Sequence, residues 1–260
     1  MSRVDLAFAF AQARLQARHS DRPSAAVWNH AEASGDLATL LQLVRGTALA
    51  RWTDRLGDRP RVHFIESRLR AEWQRDVAEV AGWQPPPWRA AIDWLRWLPF
   101  LPPLQKLARG GHPQSWMRDD PILGPVVARG PQDRVAALQD TDLEPLAAAF
   151  HPDADVTGAW TRHWRSLWRG PRSACEPLDA LHEATARHAE HLARLPDETR
   201  SREAAAAFRR RLQLLFRRHP LSPTAAVAYL GIVGLDLARL RGLLAVRALR
   251  AESPVSTVST

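Results

Sequence analysis

The chain has 260 residues, 45% of them hydrophobic and 25% charged, and its 11 tryptophans supply large apolar side chains that a disordered tail lacks, so wholesale disorder is excluded. One cysteine, Cys175, rules out an intramolecular disulfide and any multi-cysteine zinc or iron–sulfur site, and cytoplasm is the expected compartment. The net charge of +8 would draw an anionic partner, but of 36 basic residues only Lys106 is lysine, which together with abundant alanine reads as the codon-composition bias of a GC-rich genome.

Apolar residues recur at three and four positions along nearly the whole chain, and alternating β-branched runs are absent except for a few positions around Val62-His63-Phe64-Ile65, which predicts an all-α fold. Val4 to Arg18 opens with Leu6, Phe10 and Leu15 on one side; Leu6 to Ala11 is too short for a signal sequence, so no export is expected. Ser24 and Asp36 cap the next two helices, the second running from Leu37 to Val44 and closed by Gly46. His63 to Val80 carries Phe64, Leu69, Trp73, Val77 and Val80 and stops at Gly82 and Pro85-Pro86-Pro87. Trp88 to Ala108 is a helix broken at Pro99 and Pro102-Pro103 and ended by Gly110-Gly111. After a loop to Pro131, helices start at Asp133 and Asp142 and run toward Gln139 and Phe150, followed by Gly158 to Trp168, Leu178 to Leu195, Ser201 to Arg218 and Pro223 to Leu249. Ser253 to Thr260 is a polar tail. The most apolar run, Ala225 to Leu235, is cut by Asp236 after about 11 residues, where a bilayer span needs about 20. Short linkers predict one compact all-α domain over 1–252, built from helical hairpins with pseudo-repeats at about 1–111, 112–200 and 201–252.

Candidate chemistry is sparse. His182-Glu183 has Ala186 where a zinc-protease helix needs its second histidine, and His188 and His191 share a face without a third ligand, while Glu183, Arg187, Glu190 and Arg194 form a charge ladder on a neighbouring stripe. Trp160, Trp164 and Trp168 alternate with arginines, a pattern that can stack single-stranded bases but at helical spacing more often marks a buried face. Arg209-Arg210-Arg211 and Arg217-Arg218 bracket an apolar stretch, which gives a basic amphipathic helix suited to an acidic partner or anionic headgroups, or simply a solvated face. No phosphate loop, nucleophile elbow or catalytic triad pattern occurs, and Asp119-Asp120 stands without a facing carboxylate, so no catalytic residue, metal or cofactor is assigned. Helix-turn-helix, RNP and zinc-finger signatures are also missing, and nucleic acid is not the expected partner.

One pattern rises above this background. Asp36 to Leu49 and Asp133 to Leu143 share a plan of acidic cap, short helix and a Thr-x-Leu step into a further helix. His63-Phe64-Ile65-Glu66 follows the first copy; the C-terminal helix carries Tyr229-Leu230, then Asp236, Arg239-Leu240-Arg241 and Leu243-Leu244; the chain opens on an aromatic-alanine stretch, Ala7 to Arg14. This combination resembles the C/d-type connector family of V/A-type ATPases, the helical central-stalk proteins of these rotary motors. Arg239 stands where that family usually has Asn, Phe10 replaces a usual Tyr, and the chain is shorter than a typical member.

The resemblance implies a non-catalytic connector of three pseudo-repeated helical lobes forming a funnel. It would join the central shaft of the soluble sector to the membrane rotor ring, with peripheral membrane attachment through those protein partners and no small-molecule substrate. Its candidate structural and interface residues are Glu66, Arg209, Arg210, Arg211, Tyr229, Asp236, Arg239 and Arg241. A helical adaptor without a motor role is the alternative expectation, and a nucleic-acid-binding protein the third. For Asp236 the nearest local cation is Arg239 at i+3.

Overall fold

In the computed structural model, which describes residues 3–151, 153, 155–194 and 198–252, every regular element among those residues is helical. The first helices are α1 (Arg3–Ser20), α2 (Ala25–Ala33) and α3 (Leu37–Arg45). Side-chain oxygens start two of them: Ser24 Oγ accepts from the Val27 amide at 3.3 Å and Asp36 Oδ1 from that of Thr39 at 2.9 Å, each replacing a hydrogen bond that a helix's first turn lacks. A one-turn helix, α4 (Ala50–Thr53), leads to the long α5 (Val62–Trp83). The expected Trp88–Ala108 helix resolves into α6 (Pro86–Asp93), a 3-10 segment at Trp94–Phe100 that accommodates Pro99, and α7 (Leu101–Ala108). Gly110, with φ of +79°, ends α7 as its neighbour Gly111 donates back to the Lys106 carbonyl at 2.9 Å, a reversal that favours a residue without Cβ.

Short helices α8 (Trp116–Asp119) and α9 (Gly124–Val127) occupy the stretch read as loop, since a single turn is too short to display a hydrophobic period. Then come α10 (Arg134–Gln139), a 3-10 segment at Glu144–Ala149, and α11 (Val156–Ser166). The next helix, α12 (Arg172–Ala193), begins six residues before the expected Leu178 and runs through Pro177, whose fixed φ suits a helix and whose missing N–H removes one bond near the N-terminus. The set closes with α13 (Glu198–Arg218) and α14 (Pro223–Glu252). The expected helix end at Leu195 and the tail Ser253 to Thr260 lie outside the described residues.

Two compact units result, one joining the chain up to Ile92 with the chain from Gly170 onward, the other running from Asp93 to Arg169. The first unit is assembled from both ends of the chain. Its axis is α14, whose first half buries Ala225, Ala226, Ala228, Tyr229, Leu230, Ile232, Val233 and Leu237 against α1, α5, α12 and α13. A Cβ at Gly231 would stand 3.1 Å from the Leu212 side chain and one at Gly234 3.5 Å from the Trp73 ring, so these glycines let α13 and α5 approach the α14 backbone closely.

The second unit packs α7, α10 and α11 around Trp94, Trp97, Phe100, Leu104, Leu138, Leu143, Leu146, Trp160 and Trp164, all buried. Arg134 is buried here too, and its Nη1 donates at 3.1 Å to the Leu107 carbonyl at the end of α7, which also accepts from the Gly110 amide.

The Thr-x-Leu step has the same local structure in both units. Thr47 Oγ1 donates to the Val44 carbonyl at 2.9 Å and accepts from the Leu49 amide at 3.2 Å; Thr141 Oγ1 donates to the Leu138 carbonyl at 2.8 Å and accepts from the Leu143 amide at 3.1 Å. Val44, Leu49 and Trp52 are buried in one unit, and Leu138, Leu143 and Leu146 in the other. Val62 begins α5 as far beyond Thr47 as Val156 begins α11 beyond Thr141. Each hydroxyl bridges a backbone carbonyl and a backbone amide across a bend, so Thr47→Val and Thr141→Val each cost about 1 kcal/mol, and nearly additively in the double variant. Denaturant midpoints of the three variants check this.

Candidate functional site

The most heavily built polar position is Asp236, whose side chain is 0% exposed in the apolar middle of α14. An ionised carboxylate there needs compensation from charge and hydrogen bonds together. Arg22, in the turn after α1, donates Nε and Nη2 to Asp236 Oδ2 at 2.8 and 2.7 Å, and Arg209 of α13 donates Nη1 to Oδ1 at 2.7 Å. Three elements thus converge on one acid. The expected partner Arg239 is a correction: it turns away, binding Glu32 of α2 at 2.7 Å and lying 4.5 Å over the Trp28 ring. A local i+3 cation does not reach the buried face of α14, whereas long arginines from neighbouring elements do.

Farther along α14, Arg241 Nε donates to Glu66 Oε1 at 2.5 Å, bringing two predicted residues together. Arg247 is buried and donates to the carbonyls of Ala31, Glu32 and Ser34 at 3.2, 2.9 and 2.6 Å, which ties the C-terminal end of α2 to α14 with a positive charge where the helix dipole favours one. Four charged positions of one helix therefore clamp α2, α5, α13 and the α1 turn.

Tyr229 is buried two turns before Asp236, facing Arg51 beside Asp76. Asp76 pairs with Arg51 and accepts from the Trp52 indole at 2.9 Å. Burial pushes the Asp76 carboxyl above its ordinary range, opposed by Arg51 and the indole, and likewise raises the Tyr229 phenol. Arg18 completes the group through its pair with Glu79. His19 stacks on Phe216 at 5.0 Å, and its pKa is lowered by burial first and then by Arg22 and Arg217.

A depressed histidine pKa means that the unfolded chain binds more protons than the folded one below its ordinary value near 6.5. The contribution is present in full above that value and is lost as pH falls through the folded-state pKa. The melting temperature should therefore fall more steeply between about pH 7 and pH 5 in the parent chain than in His19→Gln. Parallel melts across that range check the difference.

Of the Arg209-Arg210-Arg211 triplet only Arg209 turns inward; Arg210 and Arg211 are exposed. Trp160 and Trp164 are buried and stacked at 5.6 Å, with Trp168 half-buried and edge-on to Trp164 at 5.0 Å. Leu15 is buried as expected for the opening helix, but Leu6 and Phe10 are exposed. His188 stacks on Phe208 at 4.2 Å, and the neighbouring ladder forms as Glu183–Arg187 and Glu190–Arg194 pairs. Among the described residues no group of three or more His, Cys, Asp or Glu is placed to hold a metal ion. An open cleft in the second unit is lined by His151, Asp153, Asp155, Arg162 and His163.

Sequence reasoning missed Arg22, Arg51, Glu72, Asp76 and Arg247. Glu72 and Asp76 carried a usable signal: both sit on the register of the apolar stripe of α5, and both are buried, Glu72 between Arg68 and Arg75. Arg22 and Arg247 carried none, because their partners lie more than two hundred positions away. The network around Asp236 and Arg247 supplies buried charge contacts that tie α14 to its neighbours. No family model, curated protein or solved structure matches the chain.

Proposed function

We propose that the chain is a non-catalytic connector of a V/A-type rotary ATPase, coupling the shaft of the soluble sector to the membrane rotor ring. The observation that carries this reading is the meeting of the separated stretches on which the resemblance rests. The opening helix α1, the Ile65-Glu66 start of α5 and the C-terminal α14 pack in one unit, with Glu66 bound to Arg241 across 175 positions. A connector transmits torque as a stiff body. The buried Arg22–Asp236 pair, which links both ends of the chain, suits that task, because shearing α14 against its neighbours would strand desolvated charges.

The repeated threonine bend supports a plan of duplicated helical units, which is what the family's lobes require. No helix among the described residues is long and apolar enough to cross a membrane, so attachment to the ring in this mechanism runs through protein contacts. Affinity purification of the tagged chain from native membranes, with identification of co-purifying proteins, tests the proposal. Recovery of the shaft and ring proteins of a rotary ATPase is expected. Reproducible recovery of other proteins without any motor component would replace it with the helical adaptor.

A further inference from the structure

The outer face of α13 has a pattern that the folded unit does not use. Leu214 is 60% exposed, and Arg210, Arg211, Arg217 and Arg218 surround it at i−4, i−3, i+3 and i+4, the positions that neighbour a residue on a helix surface. All four arginines are exposed, and none has an ion-pair partner among the described residues. Arg209, next in sequence, is spent on Asp236, which holds α13 against α14 and fixes the outward direction of the other four.

The chemistry of this face selects among anionic partners. Single-stranded nucleic acid needs aromatic platforms, yet the aromatics of α13, Phe208 and Phe216, are turned against His188 and His19. A lipid surface needs a broad apolar face, whereas here one leucine stands among arginines. Carboxylates match the forked guanidinium donors, and a central apolar contact is what a protein helix adds to them. We propose that this face of α13 docks an acidic helix of a partner protein, its carboxylates placed three and four positions either side of an apolar residue that covers Leu214. This docking face belongs to α13 alone and is independent of the motor assignment.

Two fluorescent synthetic helical peptides test it at physiological ionic strength by anisotropy. One carries glutamates around a leucine in the complementary pattern; the other has the same composition with the leucine moved to the opposite face. The patterned peptide should bind at least about tenfold more tightly than the rearranged one. Arg210→Glu/Arg218→Glu should lower its affinity by at least about tenfold and Leu214→Ser by about three- to tenfold, while the equal charge change in Arg55→Glu/Arg59→Glu leaves it unaltered. Circular dichroism melts verify that each variant is folded, with Arg210→Gln/Arg218→Gln as the milder replacement. Failure to bind either peptide, equal binding of both, or equal loss in the control variant overturns the proposal. So does tighter arginine-dependent binding to phosphatidylglycerol vesicles or to random-sequence DNA, which would assign the face to lipid or nucleic acid.

Discussion

Asp236→Ala is expected to destabilise the chain by about 3–5 kcal/mol, the cost of breaking a buried ion pair from one side. The carboxylate accepts three hydrogen bonds, two from Arg22 and one from Arg209, and the side chains of those arginines are only 12% and 22% exposed. Removing the acid leaves two guanidinium groups facing each other across a small cavity, each having lost its counter-charge. Arg239→Ala provides the contrast: its pair with Glu32 is more than one-third exposed on both sides, so about 0–1 kcal/mol is expected from the pair and about 0.5–1 kcal/mol more from its position over Trp28. Urea midpoints at constant slope measure both. Equal small losses in the two variants would show that solvent reaches Asp236.

Trp164→Ala should cost a similar amount, about 3–5 kcal/mol, through the large-to-small mechanism in the core of the second unit. Trp164 is 3% exposed and lies between the Trp160 ring, stacked at 5.6 Å, and the Trp168 edge at 5.0 Å. Truncation removes both ring contacts along with the buried area. Hydrogen exchange of the α11 amides reads the loss directly, since their protection depends on the packing of that face. Unaltered protection combined with lost partner binding would make the tryptophan stripe an interface instead of a core.

The parts of the fold that were legible in the sequence are those governed by neighbours. Ser24 and Asp36 cap where their side chains can reach the next turn, Gly110-Gly111 ends α7, and Trp160 and Trp164 lie buried at the spacing that announced them. Thr47 and Thr141 were readable as a shared plan because each bend is made within six residues of chain. The candidate site was legible as positions and not as pairings. Asp236 stood out as the acid that cuts an apolar run, but what neutralises it comes from Arg22 and Arg209, a matter of which elements become neighbours. Exposed Leu6 and Phe10 illustrate the converse: a stripe on one helix is buried only as far as another element extends alongside it.

The coupling role is tested most directly by measuring ATP hydrolysis and ATP-driven ion uptake in parallel, in membrane vesicles from cells lacking the chain and from cells in which it is restored. Loss of a connector should abolish ion uptake while the soluble sector still hydrolyses ATP, and restoring the parent chain should recover uptake where Asp236→Ala does not. Ion uptake unchanged by removal of the chain would contradict the proposed coupling role.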